Sequence, residues 1–151
     1  MFHSRCANNR INRLHERSLR ITYNDYESTF QELLYKDNSV RIHQRNLQLL
    51  AILVYKVKNN LAADITYDIF NPNQSYYNLR NNNIFQRKNV RTVRYGTESL
   101  SFLAPKIWAL LPDEIIKAET LDIFKERIKN WETDECPCRL CKSYIPNLGF
   151  L

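Results

Sequence analysis

Three of the four cysteines fall within the stretch CPCRLC, as Cys136, Cys138 and Cys141. Thiolates grouped this closely are zinc ligands in type, since the ion takes four tetrahedral donors with two to four residues between paired cysteines. Cys138 and Cys141 fit one such arm, whereas Cys136 and Cys138 sit closer than the usual knuckle. No histidine follows Cys141, so a fourth ligand would have to come from His3 or Cys6, with His15 and His43 behind them. The cluster therefore holds zinc, with the N-terminal segment folded back on the tail, stays as three reduced thiols, or takes a redox role. Nothing in the sequence demands any other cofactor.

A second constellation is basic. Arg10, Arg13, Arg17 and Arg20 recur at 3-4-3 spacing, which places four guanidiniums along one edge of a helix. Guanidiniums so arranged track a phosphate backbone, each neutralised phosphate releasing a counterion. Arg87, Lys88, Arg91 and Arg94 form another basic stretch between Phe85 and Tyr95, the mixture of cations and rings that suits a single strand. The alternative for both is a solvated surface. No serine or cysteine has the neighbours of a nucleophile. Asp113 with Glu114 and Asp122 with Glu126 are helical carboxylates of the capping and surface kind, not an acid–base pair.

These residues need elements to hold them. The 151 residues are 44% hydrophobic and carry a formal net charge of +6, enough apolar material for a core and an excess that favours polyanions. Only Gly96 and Gly149 are glycines, which favours helices over a turn-rich sandwich and excludes a glycine-rich phosphate loop. Met1 is followed by polar and basic residues, and the most apolar stretch, Leu47 to Val57, is too short to span a bilayer. A cytoplasmic or nuclear protein with no membrane partner is expected, a setting in which thiols stay reduced.

The expected fold is mainly α: a small bundle around a central buried helix over 39–59, capped by Ser39. A first helix is predicted from Asn8 or Asn9 to Thr22, docking through Ile11, Leu14, Ser18 and Ile21. A second runs from Ser28 to Tyr35, with Ser28 and Gln31 as a capping box. The Asn-rich stretch 71–88 reads as a loop or linker, and a short β-hairpin turned at Gly96 is placed near 89–102. A short helix with Pro105 in its first turn follows. Thr120 caps a last helix that docks through Leu121, Phe124, Ile128 and Trp131, and Trp108 and Trp131 are assigned to the core. The cysteine-containing tail, 133–151, is expected to be loosely ordered.

Taken in order, RINRLHERSLRI, LQLLAILVYKVKNNLAADITYDIF, RTVRYGTESLSFLAPKIWALLPDEI, FKERIKNW and a tail ending YIPNLGF resemble the C-terminal end of reverse transcriptases from non-LTR (LINE-type) retrotransposons. The resemblance implies a thumb-like region over 1–70, a post-thumb segment over 89–132 and a cysteine tail over 133–151. It departs from the family pattern at Ala104, where glycine is usual, and at Ala63, where proline is usual. The family's polymerase centre needs carboxylates that hold two metal ions, partly on a Tyr-x-Asp-Asp turn, and this sequence has no adjacent aspartates. The resemblance thus implies a truncated copy, begun at an internal methionine, that does not polymerise DNA alone. Its expected partner is RNA or an RNA/DNA duplex, gripped by backbone contacts, with no small-molecule substrate. A helical protein-interaction module, or a remnant reading frame without a role, is the alternative.

Overall fold

The computed structural model describes residues 5–67, 69–70, 85, 90–92, 96 and 99–133, with backbone alone for residues 5 and 6. The fold is mainly α, as expected. Seven helices occur among the described residues: α1 (Arg5–Tyr23), α2 (Phe30–Asp37), α3 (Ile42–Lys58), α4 (Asp64–Tyr67), α5 (Leu100–Trp108), α6 (Asp113–Ile116) and α7 (Leu121–Lys129). None is long and apolar enough to cross a membrane. The chain forms two compact units, residues 1–47 and 48–151.

A chain with two glycines still has to end its helices, and asparagine does this work. Asn24, Asn38 and Asn60 follow α1, α2 and α3 and are, among the described residues, the non-glycine positions of positive φ, at 48°, 52° and 55°. Asparagine tolerates this left-handed position better than other side chains do. Each lets the chain fold back on orphan carbonyls: the Asp25 N–H reaches the Arg20 carbonyl at 3.0 Å, Ser39 reaches Leu34 at 2.9 Å, and Leu61 reaches Lys56 at 2.8 Å.

In the first unit, Leu19, Leu33 and Leu34 form a buried cluster, with Tyr23 and Phe30 packed against it. The capping box of α2 lies one residue later than the sequence suggested. Thr29 is the N-cap, its side chain accepting from the Glu32 N–H while the Glu32 carboxylate accepts from the Thr29 N–H at 2.6 Å. Ser28 is instead drawn into a turn, where its N–H (3.0 Å) and hydroxyl (2.8 Å) both donate to the Asp25 carboxylate. Ser39 does not cap α3 either: the helix begins at Ile42, three residues on, and Ser39 instead closes α2 through its N–H. The first N–H of α3, on Ile42, donates to the Asn12 side chain at 3.2 Å. The helix is also not buried all round. Leu47, Leu50, Ala51, Val54 and Tyr55 form its buried side, while Leu49 is 50% exposed.

The second unit is organised on aromatic rings. Tyr55 of α3 stacks on Phe124 of α7 at 4.3 Å, and Trp108 of α5 lies nearly parallel to Phe124 at 6.0 Å. The Tyr55 hydroxyl donates to the Ala118 carbonyl at 2.9 Å, so the ring is apolar in its packing and satisfied at its polar tip. Gln48 donates to the carbonyls of Lys129 (3.0 Å) and Trp131 (3.3 Å), closing the C-terminal end of α7. The expected Thr120 cap is present, accepting from the Ile123 N–H at 3.3 Å. Phe124, Ile128, Trp108 and Trp131 are buried as predicted, with Leu121 half-buried.

Helix α5 differs from expectation. It begins at Leu100 after an N-cap at Ser99, so Pro105 lies inside it rather than in its first turn. Pro105 has no N–H for the Ser101 carbonyl, a local weakness that the buried Leu103, Ala104, Ile107 and Trp108 around it outweigh. Leu100 to Phe102 are therefore helical and not part of a hairpin, and no strand occurs among the described residues. The turn at Gly96 is present, and a Cβ there would lie 2.5 Å from the Thr92 carbonyl oxygen. The rest of the expected hairpin, the 71–88 loop apart from Phe85, and the tail from residue 134 lie outside the described residues.

Candidate nucleic-acid interface

The arginine helix starts earlier than expected, at Arg5, and turns its apolar seam the other way. Leu19 is 5% exposed and Asn8 8%, with Asn12, His15 and Tyr23 half-buried beside them. These residues face the α2 side of the unit, where His15 meets the edge of Phe30 at 5.9 Å. Of the expected docking seam, Leu14 is 60% exposed and Ile21 65%, Ser18 is exposed too, and Ile11 alone is half-buried. The physical reason is that α2 supplies Leu33 and Leu34 opposite Leu19, and a helix can turn only one side to them.

The outward side of α1 therefore mixes guanidiniums with apolar groups. Arg10, Arg13 and Arg17 are exposed there, and among the described residues no acidic group lies within ion-pair distance of them. Arg20, the fourth member of the predicted edge, is committed within the unit. It is half-buried and donates to Glu16 at 2.8 Å through one nitrogen and to the Tyr26 carbonyl at 2.8 Å through another. Beside it lies an open groove of about 470 Å³ lined by Arg13, Glu16, Arg17, Arg20, Ile21 and Tyr26. Tyr26 was not singled out in the sequence. It follows the Asn24–Asp25 turn that ends α1, and it is 65% exposed.

The second basic stretch is represented by Arg91 alone, exposed in irregular chain; Arg87, Lys88 and Arg94 lie outside the described residues. So do His3, Cys136, Cys138 and Cys141, and of Cys6 only its place in α1 is described. No group of three or more His, Cys, Asp or Glu side chains among the described residues is placed to hold a metal ion.

Asp25 and Glu32 are held by the hydrogen bonds of turns and caps. Backbone and hydroxyl donation from Ser28 holds Asp25 below the ordinary carboxylate range, and the same donation from Thr29 does so for Glu32. A general acid needs the opposite shift. Asp113 pairs with Lys117, the residue that closes α6, at 3.5 Å, and Asp122 with Lys125 of α7 at 2.9 Å, both exposed local pairs. A second groove of about 820 Å³, between α6 and the end of α7, mixes Glu114 and Glu132 with Lys117 and Arg127 and has no single sign. No known protein family, curated protein or solved structure matches the chain.

Proposed function

We propose that this chain is the nucleic-acid-gripping C-terminal region of a retrotransposon RNA-directed DNA polymerase, holding template RNA or an RNA/DNA duplex by its backbone and having no polymerase activity of its own. The observation that carries the reading is the exposed run Arg10, Arg13 and Arg17 on α1, with no acidic group among the described residues within ion-pair distance of it. Seven residues of helix span about 10 Å, the axial reach of roughly three successive phosphates on one strand of a duplex. Contacts of this kind fix position and shape without reading sequence, which is what a region beside a template–primer duplex has to do.

The test is the salt dependence of RNA binding. Three neutralised phosphates give a fall in log affinity of about two to three per tenfold rise in salt. A flat dependence removes the reading. A second reading, a helical protein-interaction module, is favoured by Leu14 and Ile21 on the same outward face. It expects a discrete protein partner and no RNA binding at low salt.

A further inference from the structure

The groove beside Tyr26 is built for more than phosphates. Two of its side chains, Ile21 and Tyr26, each keep 65% of their surface in water. Between them stand Arg13 and Arg17, both exposed, and the Glu16–Arg20 pair. A carboxylate in an anion-binding groove would ordinarily repel the ligand. Glu16 is bonded to Arg20 at 2.8 Å, so that pair is neutral and the groove keeps the charge of Arg13 and Arg17.

Arg20 has a second task there. Its other nitrogen donates to the Tyr26 carbonyl at 2.8 Å, which ties the backbone of Tyr26 to α1 while leaving the ring in solvent. The Asp25–Ser28 turn, closed by bonds of 3.0 and 2.8 Å, holds the same segment from its other side. An aromatic ring on a tethered backbone, with an aliphatic side chain and two guanidiniums around it, has the chemistry of a base-stacking platform. Stacking satisfies the ring face, and the guanidiniums take the phosphates on either side. A duplex offers those phosphates but keeps its base faces inside the stack.

We infer that Tyr26 is a stacking platform for one unpaired base, so that the groove takes single-stranded RNA in preference to duplex. This rests on the nucleic-acid reading above and narrows it to one form of ligand. Arg13 and Arg17 hold the flanking phosphates, Ile21 lines the side of the base, and Arg20 is a positioning residue that fixes the ring.

The test compares a short oligoadenylate RNA with the same strand made abasic, which keeps the phosphates and lacks the stacking faces. Both are titrated at low salt into the full chain and its Tyr26→Ala and Tyr26→Phe variants, whose helicity is checked by circular dichroism. The wild-type chain and Tyr26→Phe bind the base-bearing strand at least about fivefold more tightly than the abasic one. Tyr26→Ala loses that preference while its affinity for the abasic strand is unchanged. Equal affinity of the wild-type chain for the two strands, or a preference that survives in Tyr26→Ala, overturns the platform and leaves backbone gripping standing. Loss of binding to both strands alike in a folded Tyr26→Ala also overturns it, because stacking alone does not hold the abasic strand. If the wild-type chain binds neither strand, this inference and the nucleic-acid reading fall together.

Discussion

Arg20 and Glu16, one turn apart on α1, are joined at 2.8 Å, and the same guanidinium reaches the Tyr26 carbonyl at 2.8 Å. Of the four arginines at helical spacing, this one is structural. Arg20→Gln is expected to destabilise the chain by about 1 kcal/mol, a discounted sum of a partly exposed ion pair and one charge-assisted hydrogen bond. It should leave the salt dependence of RNA binding unchanged, whereas Arg13→Gln lowers that slope by about one. Urea unfolding and binding titrations of the two variants separate the roles, and a fall in slope for Arg20→Gln would contradict the assignment.

The first unit should lose stability in acid. Asp25 and Glu32 have folded-state pKa values below their ordinary 3.8 and 4.5, because Ser28 and Thr29 donate to their ionised forms. A group depressed on folding contributes stability that is complete above its unfolded pKa and is lost as pH falls through the folded one. Melting temperature should therefore decline from about pH 4.5 downward. Thr29→Ala, which removes the hydroxyl half of the capping box, should lower it at neutral pH and flatten the acid decline. Thermal melts followed at the helix band between roughly pH 7 and pH 3 check both.

Phe124 is wholly buried between Tyr55 and Trp108. Phe124→Ala leaves a cavity and removes its stacking between Tyr55 and Trp108, at about 3–5 kcal/mol, against a total stability of about 5–15 kcal/mol. Chemical denaturation should show a markedly lower midpoint, and near-ultraviolet circular dichroism should show weakened aromatic signals. Phe124→Leu should retain more of the native stability.

Gln48 offers a sharper test of polar satisfaction. Its amide donates to both the Lys129 and Trp131 carbonyls. Gln48→Glu keeps the shape and replaces a donor with an acceptor that faces carbonyl oxygens, so it should cost about 1–3 kcal/mol and more at neutral pH than in mild acid. A variant as stable as the wild type would mean that these bonds contribute nothing net.

How much of this was legible in the sequence depends on which side of a helix has competition. On α7, apolar residues at 3-4-3 spacing follow a good N-cap, and the remaining helix positions are charged except Ile123, so Thr120, Phe124, Ile128 and Trp131 were readable in advance. On α1, apolar residues occur on both sides, and the docked side uses Asn8, His15, Leu19 and Tyr23, whose types do not announce burial. Only α2, through Leu33 and Leu34, decides between the sides, and that is a tertiary fact. Ser28 and Thr29 are both good caps, and the Asp25 carboxylate settles the matter by claiming Ser28. Pro105 suggested a helix start because proline suits a first turn, yet the buried Leu103 and Ala104 before it carry the helix through. On the candidate interface, the arginine spacing was visible, but the commitment of Arg20 and the exposure of Tyr26 depend on a turn that had to be seen folded.

The central claim is that the outward arginines of α1 grip a nucleic-acid backbone. Its most direct test is the double substitution Arg13→Glu with Arg17→Glu, both exposed and outside the buried cluster. The variant should keep its helicity and lose RNA affinity at low salt by at least about tenfold, with the salt slope falling by about two. A folded double variant with undiminished RNA affinity and slope would contradict the account and leave these arginines as ordinary solvated surface.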